Sequence, residues 1–373
     1  MYRSDAQHTG RSPFTLPQSL PQERWRFATS GSITAAPGLA ADGTVVVGSH
    51  DGVVYAISAQ GMQRWQYRTG DRVWATPALV ADGTIYIGSD DDRLHAVQLS
   101  DGMPRWSVTA GTCKRSGGRS PEGARCDVEQ VTLGSDGTIY IGGDGVYALR
   151  SDGKVRWRFD PTAPPSAAAT TAPTPGPAAA SSPTKKVHCS SAPSVGRDGT
   201  VYAVCQEVLY ALGPDGSKRW EFSAQGEFEA APAIADDGTA YLGSDDRRLY
   251  ALDGMGQVRF MFLAGAPIRT AVALGRDGGA IFGCDDNAVY AVRSDGTLLW
   301  TYQTADAVRS SPLIDAAGSV AFGSRDDRLY VVAADGRLKW SLLLDGDVDG
   351  SPTLGPDGTI YVGADDRALH ALR

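Results

Sequence analysis

The chain has 373 residues, 42% of them hydrophobic, and 35 Lys and Arg against 43 Asp and Glu give a net charge of −8. That balance argues against nucleic acid or an anionic membrane as a partner. No apolar run approaches the ~18 residues of a membrane span.

The opening Met1 to Ser4 carries no apolar segment of a signal peptide. The first regular feature is Trp25, inside a short β-rich stretch at 23–27. One unit then repeats. In its first copy an Asp42-Gly43 turn joins two β-rich runs, Tyr55 follows in a third, and a second Gly turn precedes Trp65. Asp-Gly between alternating runs signals a hairpin, because Gly takes the positive φ the turn needs. In the second copy, residues 75–80, 84–89 and 94–99 read as three strands and the segment around Trp106 as a fourth. The closing aromatic recurs at Trp25, Trp65, Trp106, Trp157, Trp220, Phe260, Trp300 and Trp340, at spacings of 40, 41, 51, 63, 40, 40 and 40. The Asp-Gly turn recurs eight times, with Ala317-Gly318 as its one variant. A third column also counts eight: Tyr55, His95, Tyr147, Tyr210, Tyr250, Tyr290, Tyr330 and His370. No stretch carries sustained helical periodicity.

A unit this short cannot bury its own apolar face, so copies must stack. Four strands per period describe the blade of a propeller. After Trp340 only 33 residues remain, enough for three strands, and the missing fourth is present at 23–27. The expected fold is therefore all-β: an eight-bladed β-propeller with four antiparallel strands per blade, closed by the N-terminal strand pairing into the last blade. That closure leaves no open edge between first and last blades. Residues 1–20 read as a leader segment and 21–373 as a single propeller, with insertions at 110–127 and 160–188.

The first strand of each unit should line the central channel. One position before the recurring Pro lies a ring of mostly small residues: Ala36, Thr76, Gln130, Ala192, Ala231, Ala271, Ser311 and Ser351. Two positions earlier lies a second ring: Thr34, Trp74, Val128, Ser190, Glu229, Arg269, Arg309 and Asp349. Strand alternation would put both on one face, the second nearer the channel mouth. Trp74, Glu229, Arg269, Arg309 and Asp349 are the candidate ligand- or partner-binding residues. Two guanidiniums beside an aromatic can hold a carboxylate, phosphate or quinone-like ligand. The competing reading is a ring of self-neutralising salt bridges.

Both insertions should emerge on the face of this mouth, where binding loops commonly sit. The first is basic, and its Arg115 and Arg119 join the partner-binding candidates. The second, at 161–183, is almost wholly Pro, Ala, Thr and Ser, which cannot form a core. It reads as a partner-docking arm or lid, or as a tolerated insertion. Cys113 and Cys126 bracket the basic loop, and Cys189 and Cys205 flank the hairpin at 197–199. Both pairs are disulfide candidates, which suits an exported protein, with cross-pairs between the loops as the alternative. Cys284 stands in a column held elsewhere by Ser89, Ser244 and Ser324, so it reads as a small inert residue.

No metal site is expected. No Cys/His spacing suggests zinc. The recurring acidic runs Asp90-Asp91-Asp92, Asp245-Asp246, Asp285-Asp286, Asp326-Asp327 and Asp365-Asp366 repeat at a turn, where Asp caps its own backbone. His95 and His370 stand in the Tyr column and read as packing residues. His8, His50 and His188 lie far apart with no nucleophile beside them. No G-x-S-x-G elbow, HExxH or phosphate loop is present, so no catalytic residue is assigned.

Segments such as Ser151-Asp152-Gly153-Lys154-Val155-Arg156-Trp157 and Ala334-Asp335-Gly336-Arg337-Leu338-Lys339-Trp340 resemble the PQQ-type β-propeller repeat, in which a Gly turn precedes a Trp that stacks between blades. The opening thirteen residues, through His8-Thr9-Gly10-Arg11-Ser12-Pro13, look like the leader that precedes the first blade in many bacterial PQQ-like repeat proteins. The resemblance covers nearly the whole chain and implies the propeller fold. In that family the quinoprotein dehydrogenases bind pyrroloquinoline quinone and calcium, carry a vicinal Cys-Cys pair and use an Asp base. This chain has no adjacent cysteines and lacks room for their large insertions. Its length and blade count look like the non-dehydrogenase branch, which includes the outer-membrane assembly lipoprotein.

A fold hosts many functions. The expected one is a non-catalytic binding or scaffold propeller, monomeric and without a resident cofactor. It would present the channel mouth and two long loops to a protein or peptide partner, or hold a small anionic ligand. A periplasmic or extracellular location is expected, with any export leader outside this chain. The rivals are an enzyme acting on a small anionic substrate at the mouth, and a pyrroloquinoline quinone-binding protein without the dehydrogenase residues.

Overall fold

The computed structural model describes residues 5–110, 128, 130–163, 187–189 and 191–373. Eight four-stranded antiparallel sheets make up an eight-bladed propeller, with no helix among the described residues. Blade 1 runs outward through Gly38–Leu39, Val45–Gly48, Val53–Ile57 and Gln63–Arg68. Six further blades repeat that plan in chain order. Blade 8 takes Thr353–Leu354, Ile360–Ala364 and Ala368–Leu372 from the end of the chain and its outer strand, Glu23–Ala28, from the start. Trp25 pairs with Ala371 and Phe27 with Leu369 across that closure.

Local chemistry makes each hairpin. Asp42 accepts from the Thr44 N–H at 3.0 Å, and Asp82, Asp198, Asp237 and Asp357 do the same two residues on. An arginine one residue before the closing aromatic reaches the same carboxylate: Arg64 to Asp42 at 2.7 Å, Arg219 to Asp198 at 3.0 Å, Arg259 to Asp237 at 2.6 Å. The Thr44 hydroxyl, the Thr44 N–H and Arg64 hold Asp42 down to about 2. Asp82, Asp136, Asp198, Asp237 and Asp357 are lowered as well. A folded-state pKa below the unfolded value of about 3.9 gives stability present above that value and lost as pH falls through the folded one. The melting temperature is expected to hold down to about pH 4 and then to drop between about pH 4 and 2. A flat profile to pH 2 in scanning calorimetry would refute this role for the turn carboxylates.

Blades stack through apolar clusters that each join two neighbours. Val46, Ala56 and Trp65 of blade 1 meet Ile85, Ile87 and Val97 of blade 2. Ile33, Val45, Val47 and Ile57 meet Tyr361, Leu369 and Ala371 of blade 8, which closes the ring. Every closing aromatic but Trp340 lies on the second Gly turn of the next blade. A Cβ on Gly336 would come within 2.8 Å of the Trp300 ring, and the residue has φ +83°, so two constraints require glycine there. The indole N–H of Trp300 donates to the Ala334 carbonyl at 2.9 Å, and Trp25, Trp65 and Trp220 repeat that bond. Blade 8 takes its outer strand from the start of the chain and so has no such turn. Trp340 donates instead to the Pro17 carbonyl at 2.9 Å.

The inner strands are shorter than the β-rich runs suggest. Residues 75–80 do not form one strand; only Ala78–Leu79 pairs. Pro77 has no N–H for the ladder. Ahead of it the chain ties to the previous blade, with Val73 N–H donating to the Ser49 carbonyl at 3.1 Å and Ile268 repeating this onto Ser244.

Residues 5–16 run across the inner strands at the end of the channel opposite the two residue rings. The carbonyls of Ala6, Gln7, Thr9 and Gly10 accept in turn from the N–H groups of Val195, Ile234, Leu274 and Ile314, one blade per contact. His8 is wholly buried and sits between the Thr132 and Ser194 hydroxyls at 2.8 and 2.9 Å. Gly10, Ser12 and Phe14 line a lower channel cavity of about 240 Å³.

Candidate functional site

The segment ahead of each inner strand carries the two rings to the channel. Because these residues lie before the proline, they are not successive positions of one strand. They nonetheless converge. Thr34, Trp74, Glu229, Arg269, Arg309 and Asp349 line one cavity of about 160 Å³, with Thr76, Ser311 and Ser351 beneath them. Ala36, Thr76, Ser311 and Ser351 line the lower cavity too, so the small-residue ring is the neck between the two.

The mouth is laced by ion pairs between adjacent blades. Arg269 makes a two-pronged contact with Asp245, at 3.0 and 3.3 Å. Arg309 does the same with Asp285, at 3.0 Å for both prongs. Asp349 is gripped by Arg325 at 2.8 Å, with the charges reversed. In each pair the partner lies 24 residues earlier, on the loop between second and third strands of the preceding blade. Glu229 is left at 3.6 Å from Arg269, and half exposed. Trp74, 39% exposed, lies against His50 with ring centroids 3.8 Å apart and donates to Asp90 at 2.9 Å. Burial, and then Arg72, lower the His50 pKa.

These pairs divide the recurring acidic turns into two roles. The second carboxylate does the turn chemistry: Asp51 and Asp246 accept from the N–H two residues on. It also takes the Tyr column's hydroxyl, with Tyr55 on Asp51 at 2.9 Å, Tyr290 on Asp286 at 2.6 Å and Tyr330 on Asp326 at 2.7 Å. His95 and His370 replace Tyr in the same contact, onto Asp91 and Asp366. The first carboxylate faces the mouth. Reading Asp326-Asp327 as one of these pairs places it one residue out of register, because Arg325 occupies the position of Asp245 and Asp285. The spacing of 24 was the signal in the sequence that could have coupled the two sets.

Burial raises the Glu229 carboxyl; Arg269 opposes this and Asp245 adds to it. Asp347 is raised by burial and then by Asp349 and Asp365. A carboxylate with a raised folded pKa contributes stability below its unfolded value and loses it as pH rises through the folded one. Glu229→Gln is therefore expected to raise the melting temperature at pH 7 and to lose that advantage at about pH 4. A lower melting temperature at pH 7 would show that Glu229 is a supporting ion-pair member.

Cys189 and Cys205 form a disulfide. Cys113, Cys126, Arg115, Arg119 and nearly all of 161–183 lie outside the described residues. Cys284 donates to the Ala266 carbonyl at 3.2 Å as the column serines do, and burial pushes its thiol up to about 12. It is an inert thiol.

Both mouth arginines are held by aspartates, and the cavity is below the ~300 Å³ of ordinary cofactor pockets. Among the described residues no group of carboxylates, His or Cys is arranged to hold a metal ion.

The family model described as outer membrane protein assembly factor BamB matches residues 21–157, 146–314 and 285–373. No curated protein matches the chain. Among solved structures, BamB from Moraxella catarrhalis is 16% identical, with a TM-score of 0.69 over 95% of this chain and 98% of that one. A europium-containing methanol dehydrogenase is 16% identical, with a TM-score of 0.75 over 98% and 90%. The quinohemoprotein alcohol dehydrogenase from Comamonas testosteroni is 14% identical, with a TM-score of 0.77 over 100% and 79%. At these identities the structures share the fold.

Proposed function

The chain belongs to the PQQ-like propeller family whose model is described as outer membrane protein assembly factor BamB, and from that premise we propose that it is a non-catalytic scaffold. Its channel-mouth face docks an extended segment of a protein partner outside the cytoplasm. The observation that carries this reading is the set of interblade ion pairs. Arg269 and Arg309 are spent on Asp245 and Asp285, so no acid and base stand poised at a common reacting atom. What remains is a rigid, polar, concave face with the Trp74 ring on its rim, the usual kind of anchor for a partner. The Cys189–Cys205 disulfide supports an oxidising compartment. No helix of the described residues is long and apolar enough to cross a membrane.

A photo-crosslinking residue placed at Thr34 or Asp347 on the mouth side, and at Gln60 or Met255 on the opposite turns, tests the reading in cells of the source organism. One partner captured from the mouth positions, and from neither turn position, is expected. Capture of that partner from the opposite turns alone would refute it. Pyrroloquinoline quinone with calcium is expected to give neither a spectral shift nor a gain in melting temperature.

A further inference from the structure

The leader floors only part of the channel. Its carbonyls take the N–H groups of Val195, Ile234, Leu274 and Ile314, the last inner-strand residues of blades 4 to 7. Past blade 7 it turns outward. There the Phe14 carbonyl accepts from Ala316, and the Leu16 N–H donates to Asp315 at 2.9 Å. Leu354 and Leu39 hold the register of Ile314 in blades 8 and 1, each opposite the first residue of its second strand. That register turns their N–H groups to the channel, and none of the described residues accepts from either. Both residues line the lower cavity of about 240 Å³, so this edge faces open space. Unpaired backbone donors on a strand edge are a template for another chain.

A groove at the neighbouring seam is the second observation. At the seam of blades 7 and 8 the corresponding groove is filled. Leu16, 2% exposed, joins the cluster of Ala321, Trp340 and Leu354 there. At the seam of blades 8 and 1 the equivalent residues are Tyr361, Trp25 and Leu39, which pack together. With Ala40, Ala41 and Ala59 they wall a groove of about 680 Å³, and no described residue takes the place of Leu16. Pro17 stands in for the turn that blade 8 lacks, but Leu16 does not. At this seam the turn is present, with Trp25 donating to the Ala59 carbonyl, and the groove inside it is still open. Arg24 and Asp357 on its rim neutralise each other at 3.1 Å, so the groove favours an uncharged, apolar side chain. Phe14 and Leu39 line both the groove and the lower cavity, so the two adjoin.

We propose that the floor over blades 8 and 1 binds a second extended segment, carried by a protein other than the partner at the mouth. Carbonyls of that segment accept from Leu354 and Leu39. A leucine side chain enters the groove against Trp25 and Tyr361, as Leu16 does one seam back. The site goes beyond the mouth reading and does not depend on it.

The probe is an acetylated, amidated peptide with the sequence of residues 12–18, Ser-Pro-Phe-Thr-Leu-Pro-Gln, added to the full chain with its own latch in place. The readout is the backbone amide resonances of Leu39 and Leu354. Val195 and Ile234, whose donors are occupied, are the internal references. A saturable shift of the first pair alone is expected. Asparagine in place of the peptide's leucine is expected to weaken binding about tenfold or more, the scale of burying one leucine side chain. Ala41→Trp fills the groove from an exposed turn and is expected to weaken the peptide by a similar factor. Equal affinity for the asparagine peptide, indifference to Ala41→Trp, a response confined to the Trp340 indole N–H, or no shift at all would overturn the proposal. Mouth cross-links and peptide binding fail separately: the first reports on the mouth's partner, the second on this floor.

Discussion

Trp340→Ala is expected to cost about 3–5 kcal/mol of folding stability, the usual range for truncating a buried large aromatic. The ring is 5% exposed and packs with Leu313, Val331, Leu344 and Leu354 across the seam of blades 7 and 8. It also carries a load its counterparts do not. Every other closing aromatic rests on a glycine turn of the next blade, whereas Trp340 meets the N-terminal segment, through Leu16 and the Pro17 carbonyl. Losing the ring therefore loosens both a blade seam and the latch. Trp340→Phe keeps most of the packing and removes one hydrogen bond, so a loss of only about 0.5–1.5 kcal/mol is expected. Denaturant titration of both variants checks the pair. Equal stabilities for wild type and Trp340→Ala would refute the latch.

Deleting residues 1–28 is expected to have the larger effect: loss of the soluble, cooperatively unfolding monomer. The deletion strips Glu23–Ala28 from Ala368–Leu372 and exposes a bare strand edge of the kind that recruits other chains. It also removes the carbonyls that run across blades 4 to 7. Deleting only 1–12 keeps the outer strand and removes the channel floor, so a folded protein with a lower melting temperature is expected. Size-exclusion chromatography and calorimetry separate the two outcomes. A monomeric, sharply melting 29–373 fragment would show that the ring does not depend on its borrowed strand.

The repeat was legible because it is local chemistry copied eight times. Asp42 and its equivalents turn their hairpins with partners two residues away, and the period of the Trp and Tyr columns reports which face each strand buries. The mouth was legible only in part. Ring positions could be counted from the prolines, and Trp74, Glu229, Arg269, Arg309 and Asp349 do meet at one mouth. Their charge state could not be counted, because the partners of Arg269 and Arg309 come from the preceding blade's loop. The leader's path was invisible for a related reason. Its backbone-to-backbone contacts span separations of 189 to 304 residues and leave no mark on side-chain pattern.

By itself, then, the amino-acid order determined the blade, its number and the way head and tail join, since each depends on turn geometry and on apolar periodicity within forty residues. Only the closed ring decided which charges are already matched, as Arg269 and Arg309 are by Asp245 and Asp285. Coulomb and hydrogen-bond terms act between groups within a few ångströms in space, and here those groups arrive from different blades.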